Sequence, residues 1–336
     1  MKKNYKNLIP IAAVLAVALP WMGCKKSTVV KTTTSMPTGP VELILKWPEG
    51  RRMVQSFDLK QGNEIQVPGM PTPMKQDMTM EQKYRMTVLK DRPDGKHEVE
   101  FEFLDSHLAM KMGEKVMIDT GTGKKAAGGP ANAVAGVFDK LAGAKIRFLL
   151  DTSNRVEKVE GVDELQSRLG TDKQNDPTGV MGSMFKEDYF KQMMDHGRSL
   201  PPKPVSPGDT WPVQWEIAMG DLGTLVMDFT YTFDSWQKRN DRYCARIGIE
   251  GTVKTKPGQT LQTQGMSIVI KEGTSTGETW FDLDAGMFVD TVLNQDMKLN
   301  ITVPNQARGA APNAPKTQNI TSALNQAIKI KLESVK

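Results

Sequence analysis

Gly273-Thr274-Ser275-Thr276-Gly277 has the G-x-S-x-G spacing of a hydrolase elbow, in which a strained strand-to-helix turn lifts a serine hydroxyl toward a histidine base. The chain order opposes that chemistry. His97, His107 and His196 all precede the serine, and Thr279 to Leu283 after it has a strand pattern. The stretch therefore reads as a polar hairpin turn. Gly121-Thr122-Gly123-Lys124-Lys125 looks able to cradle phosphate, but a P-loop requires four residues between its first Gly and the Gly-Lys pair, followed by Ser or Thr. It reads as a mobile basic loop. Met70, Met74, Met78 and Met80 could offer thioethers to a soft ion such as Cu(I). Strand alternation from Met78 onward explains two of them as core. Glu98, Glu100 and Glu102 resemble paired carboxylates for acid–base work, yet on one strand they share a face and read as a solvated edge. Trp211 and Trp215 could stack on a ligand, but packing at the end of a sheet is the simpler use of a tryptophan. Cys244, in the strand-like stretch Arg242 to Ile249, reads as a small buried hydrophobe. Scarce histidine and the failure of each motif predict a protein that is not an enzyme, with no catalytic residue, cofactor or metal site.

Net charge excludes a further class. The chain has 44 Lys+Arg and 39 Asp+Glu. Three of the lysines lie before residue 24, which leaves 41 against 39, a charge of +2 for the remainder. Basic residues are interspersed with acids, where a nucleic-acid binder would gather them on one face. No nucleic-acid partner is expected.

Location is the clearest reading. Lys2, Lys3 and Lys6 precede an apolar run from Leu8 to Leu19, the layout of an export signal and too short to span a bilayer. Trp21-Met22-Gly23-Cys24 then resembles a bacterial lipoprotein signal, although the position three before the cysteine is Trp21 instead of an aliphatic residue. The resemblance implies that Cys24 is the lipid attachment site and the mature N-terminus. The expected partner is thus a membrane, reached through lipidated Cys24, with the domain facing the periplasm or the cell exterior. By the same resemblance, Lys25 and Lys26 lack the Asp that retains such lipoproteins in the inner membrane of some bacteria, which favours the outer membrane. Cys24 being committed, Cys244 has no partner for an internal disulfide.

The elements expected to position these residues are mostly strands. After the signal (1–23), residues 24–40 form a polar tether holding the domain roughly 20 Å from the bilayer. An N-terminal β-rich half (41–200) begins with alternation at Val41 to Leu45 and Met53 to Leu59, then pairs Met78 to Val88 with His97 to Phe103 as a hairpin. Helices are expected near 130–142, 161–169 and 178–196, the last amphipathic through Met181, Met184, Phe185 and Phe190. The C-terminal β half (201–336) follows a Pro-rich connector and carries a disordered excursion near 304–319. The fold class is α+β, mainly antiparallel, as a large curved sheet or half-barrel with a few helices on one face. Asp151 precedes Val156 and Val159 at the offsets by which Asp284 precedes Val289 and Val292, so the halves are candidates for a duplication.

Two stretches, Leu141-Ala142-Gly143 through Val162 and Leu200-Pro201-Pro202-Lys203-Pro204-Val205-Ser206-Pro207-Gly208-Asp209-Thr210-Trp211, resemble a domain-of-unknown-function family of exported bacterial lipoproteins. That resemblance implies location and fold, with no activity attached. More distantly, the layout is similar to half-barrel lipoprotein carriers. The expected function is an envelope interaction or scaffold module, with binding of an apolar ligand or lipid as the alternative. The latter draws on the 21 methionines, whose flexible side chains suit adaptable apolar surfaces.

Overall fold

The computed structural model describes residues 36–92, 94–121, 130–170, 185–218, 223–239, 242–263, 266–304 and 317–336. Cys24, Lys124, Lys125, Met181 and Met184 lie outside them, as do the signal and most of the tether and of the 304–319 excursion.

Thirteen strands form one open antiparallel sheet. They are β1 (Arg52–Gln66), β2 (Met74–Asp91), β3 (His97–Met112), β4 (Lys115–Asp119), β5 (Lys145–Leu150), β6 (Val156–Glu160), β7 (Thr210–Ala218), β8 (Thr224–Arg239), β9 (Arg242–Thr255), β10 (Leu261–Thr263), β11 (Met266–Asp282), β12 (Met287–Pro304) and β13 (Thr317–Val335). The order is β6-β5-β3-β2-β1-β13-β12-β11-β9-β8-β7, with β4 beside β3 and β10 beside β11. The two sequence halves are therefore joined in mid-sheet, where the C-terminal strand β13 pairs with β1 from Met53 to Gln66. Period-two patterning fixes the register: a one-residue slip would turn Phe57, Leu59 and Ile65 outward and forfeit about 1.5–3 kcal/mol for each large apolar side chain. The hairpin expected of Met78 to Val88 is β2–β3, with Val88 opposite Val99.

Three helices accompany the sheet among the described residues. Helix α1 (Pro130–Leu141) buries Val137, Phe138 and Leu141 and packs on β3, β4 and α2. Helix α2 (Val162–Leu169) buries Val162, Leu165 and Leu169, with Asp163 and Glu164 in its first turn and Arg168 in its last, as the helix dipole favours. Helix α3 (Glu187–Met193) touches both β6 and β7, the two outermost strands of the main order.

Four expectations are corrected. The helix expected over 178–196 is, among its described residues, α3 followed after Met194 by a separate 3-10 turn, His196–Ser199; the backbone N–H of His196 already bonds to Met194 O, too near for a continuing α-helix. Val41 to Leu45 is extended, but joins the protein through a single bridge between Val41 and Val205 while Leu43, Leu45 and Trp47 are buried. Residues 317–319 belong to β13 instead of a disordered excursion. The turn expected at Gly273 to Gly277 is the middle of β11, whose pairing with β12 and β9 runs straight through it. A β-carbon at Gly273 would collide with the carbonyl oxygen of Val253, and one at Gly277 with that of Val292. Glycine is here because neighbouring strands approach too closely for a side chain, a use of the residue that looks identical to a turn signal in sequence.

Candidate functional site

Ser275 lies on the buried face of β11, 1% exposed, and its Oγ accepts a hydrogen bond from Gln295 Nε2 at 2.9 Å. That places it inside the sheet and away from any strained turn. The three histidines are scattered. His97 opens β3 and His196 is buried in the 3-10 turn, whereas His107 on β3 approaches Asp119 Oδ1 at 3.1 Å and Glu81 Oε2 at 3.9 Å. This cross-strand cluster, which sequence spacing could not reveal, has base-like geometry, but Ser275 on β11 lies far from it in strand order. Among the described residues, no group of three or more His, Cys, Asp or Glu is arranged to hold a metal ion.

The other candidates take structural positions. Glu98, Glu100 and Glu102 are engaged by Arg92 at 3.4 Å, Lys145 at 2.7 Å and Arg85 at 2.9 Å respectively. Their strand is flanked by β2 and β5, so the face is an interior ladder of ion pairs and not an edge. Met78 and Met86 are core, Met80 is half-buried, and Met70 and Met74 pack against its rim. Cys244 is buried in β9, and burial pushes its thiol well above the usual cysteine range, with Asp282 adding to the shift.

Trp211 and Trp215 anchor a seam. Segment 185–199 lies between the outer strands β6 and β7 and is tied to both sides. Toward β6, Asp195 pairs with Arg155 of the β5–β6 turn at 3.1 Å and with Arg198 at 3.0 Å. Toward β7, Trp211 Nε1 donates to Ser199 O at 3.0 Å, and the Arg198 guanidinium stands 5.4 Å from the Trp215 ring centroid. Phe185 and Phe190 fill the space between, and burial pushes the neighbouring Tyr189 hydroxyl up to about 12. The Pro-rich connector that follows turns back through Asp209, whose carboxylate accepts from Ser206 N at 2.7 Å and whose carbonyl accepts from Phe233 N at 2.9 Å. The corner expected of Gly208-Asp209-Thr210-Trp211 is thus built by backbone pairing to β8.

The buried face of the central strands has an unusual composition. No Lys, Arg, His, Asp or Glu occupies the buried-phase positions from Met53 to Ile65, Met74 to Val88, Val289 to Val303 or Ile320 to Leu332. Methionine recurs there, at Met53, Met78, Met86 and Met297 among others. Across the middle runs a belt of carboxamides. Gln61 on β1 faces Gln326 on β13, which faces Gln295 on β12, which faces Ser275 on β11. All four are at most 4% exposed. Gln326 Nε2 donates to Gln61 Oε1 at 2.9 Å. One row further, Asn63 stands opposite Gln76, which donates to Met110 Sδ at 2.8 Å, while Ser322 donates to Asn63. The signal was present in sequence as Gln and Asn falling in phase with Leu and Ile, a pattern that apolar periodicity alone discards as noise.

Fold and site together define an antiparallel single-sheet protein whose four central strands present an uncharged, methionine-rich buried face. The chain belongs to a family of unknown function, DUF6263, whose model matches residues 94–288, more than half of it. No curated protein matches the sequence. Among solved structures, it is similar to lipovitellin, from work on lipid–protein interactions in that protein, with a TM-score of 0.42 and 10% identity over 87% of this chain and 26% of the other. The chain thus spans about a quarter of the lipovitellin chain. It is also similar to a Bacteroides fragilis protein described as exported and of YmcC-like fold, with a TM-score of 0.28 and 10% identity over 88% of this chain and 100% of the other. Among the described residues, no helix is long and apolar enough to cross a membrane.

Proposed function

We propose that this is an envelope lipoprotein, anchored through Cys24, that works by binding and not by catalysis, and that the buried face of its central strands receives a small apolar or amphiphilic ligand. The observation that carries this reading is the composition of that face: rows of Met, Leu, Ile and Phe, with every ionic side chain excluded from the buried-phase positions of four adjacent strands. Flexible thioethers adapt to ligands of irregular shape, and apolar lining with a few placed polar groups is what a small-molecule site requires. A non-enzymatic role fits the placement of Ser275 away from any histidine and the engagement of Glu98, Glu100 and Glu102 by cations.

The test uses the full chain purified from membranes, extracted with organic solvent and analysed by mass spectrometry, alongside titration with a neutral apolar fluorophore. Near-stoichiometric lipid or saturable probe binding is expected. A clean extract with no saturable binding would leave a scaffold role instead. Cys24→Ser should move the protein to the soluble periplasmic fraction, and retention in the membrane would remove the anchor. Hydrolase or esterase turnover that disappears in Ser275→Ala would overturn the non-enzymatic reading.

A further inference from the structure

We infer that the carboxamide belt is a head-group subsite selecting an uncharged amphiphile, an acyl chain ending in an ester, amide or hydroxyl group, over one with an ionised head. The inference rests on the binding role proposed above. Its starting point is the hydrogen-bond bookkeeping of the belt. The bond from Gln295 Nε2 to Ser275 uses only one end of that carboxamide. Gln295 Oε1, Gln76 Oε1 and Asn63 Nδ2 have no hydrogen-bond partner among the described residues, although Gln295, Gln76 and Asn63 are at most 3% exposed. Leaving a buried polar group unpaired costs about 1–3 kcal/mol, and such groups in folded proteins are nearly always satisfied. Three within two adjacent rows of one sheet face call for a partner that brings its own donors and acceptors.

The chemistry of that partner follows from what surrounds the belt. Gln295 Oε1 and Gln76 Oε1 accept from a hydroxyl or amide donor, and Asn63 Nδ2 donates to an ester, amide or hydroxyl oxygen. A carboxylate or phosphate would have to leave water for a face with no Lys, Arg or His in its buried phase, and an uncompensated buried charge is far costlier than a neutral polar group. The flanking rows suit a tail. Leu59, Ile328 and Leu293 are neighbours on one side of the belt, and Leu324 and Met297 are neighbours on the other.

The experiment compares three ligands of equal chain length, 1-monolauroylglycerol, laurate and dodecyl phosphate, as displacers of neutral N-phenyl-1-naphthylamine from the full chain held in amphipol at pH 8. The expected result is displacement by monolauroylglycerol at roughly tenfold lower concentration than either anion, a difference of about 1.4 kcal/mol. Gln295→Leu should bring the three within about threefold of one another, and Gln76→Met provides the same comparison if Gln295→Leu does not fold. Equal displacement by all three in the unmodified protein, or a preference unchanged in both variants, overturns the subsite. Absence of any saturable probe binding overturns the binding role itself, so the two failures are distinguishable.

Discussion

Trp211 on the outer strand β7 gives its indole N–H to the carbonyl of Ser199 at 3.0 Å, and both residues are buried. The bond fastens the sheet to the segment that crosses its seam. Replacing Trp211 by Phe keeps most of the ring packing against Tyr231, whose centroid is 5.9 Å away, but strands a buried carbonyl. A loss of about 1–3 kcal/mol is expected in urea unfolding, and hydrogen exchange should accelerate in residues 187–199 before the centre of the sheet. Uniform acceleration would show that the bond does not govern the seam.

Cys244 and Asp282 are direct cross-strand neighbours on β9 and β11. Burial raises the thiol's pKa first, and the nearby carboxylate raises it further, so very little thiolate exists near neutrality. Iodoacetamide at pH 8 should therefore leave Cys244 unmodified for hours in the native protein and label it within minutes in urea. Rapid native labelling, read by mass spectrometry of the Cys244 peptide, would refute the buried placement.

Asp282 itself is pulled in two directions. Arg242 at 2.9 Å and the backbone N–H groups of Asp284 and Ala285 favour its ionised form, but burial outweighs them and raises its pKa. The native state then holds the proton more tightly than the unfolded chain. Its contribution is therefore greatest at low pH and declines as pH rises from the ordinary carboxylate value, about 4, through the raised native one. Asp290 and Asp58 are shifted the same way, burial again being the main cause. In urea unfolding between pH 4 and 7.5, the stability advantage of the native protein over Asp282→Asn should shrink as pH rises. A constant difference would mean that Asp282 does not titrate in this range.

Much of this architecture is legible in the residues themselves. The alternation of Met78, Met80, Tyr84, Met86 and Val88 predicts β2 and its inward face, and Gly208-Asp209-Thr210-Trp211 predicts a packed corner. What escapes is non-local. The pairing of β13 with β1 joins residues more than 250 positions apart, and no local pattern encodes it. The offset match between the halves also misassigns the turn: Asp151 accepts from Ser153 N and Arg155 N, while in the second hairpin the corresponding acceptor is Asp282 and not Asp284. The belt escapes because Gln61 and Asn63 follow the apolar stretch Met53 to Leu59 and interrupt its hydrophobic alternation, which resumes in phase only at Ile65.

Gly277 offers the sharpest test of how the central strands are assembled. It faces Leu293 on β12 and Ile249 on β9, and an added β-carbon would meet the Val292 carbonyl oxygen and crowd the Leu293 Cα at 2.9 Å. Backbone cannot move aside as a flexible side chain can, so the strands must separate locally. Gly277→Ala should cost about 1–3 kcal/mol, the usual penalty of overpacking, despite alanine's smaller conformational entropy loss on folding. Gly258→Ala is a useful contrast. Its φ of 78° makes a side chain unfavourable through backbone strain, yet nothing lies within 4 Å of the new atom. If close strand approach governs position 277, its midpoint in urea falls further than that of Gly258→Ala, and amide exchange rises at Leu293 and Ile249 together. If Gly277→Ala is neutral, the glycine is not there to admit neighbouring backbone.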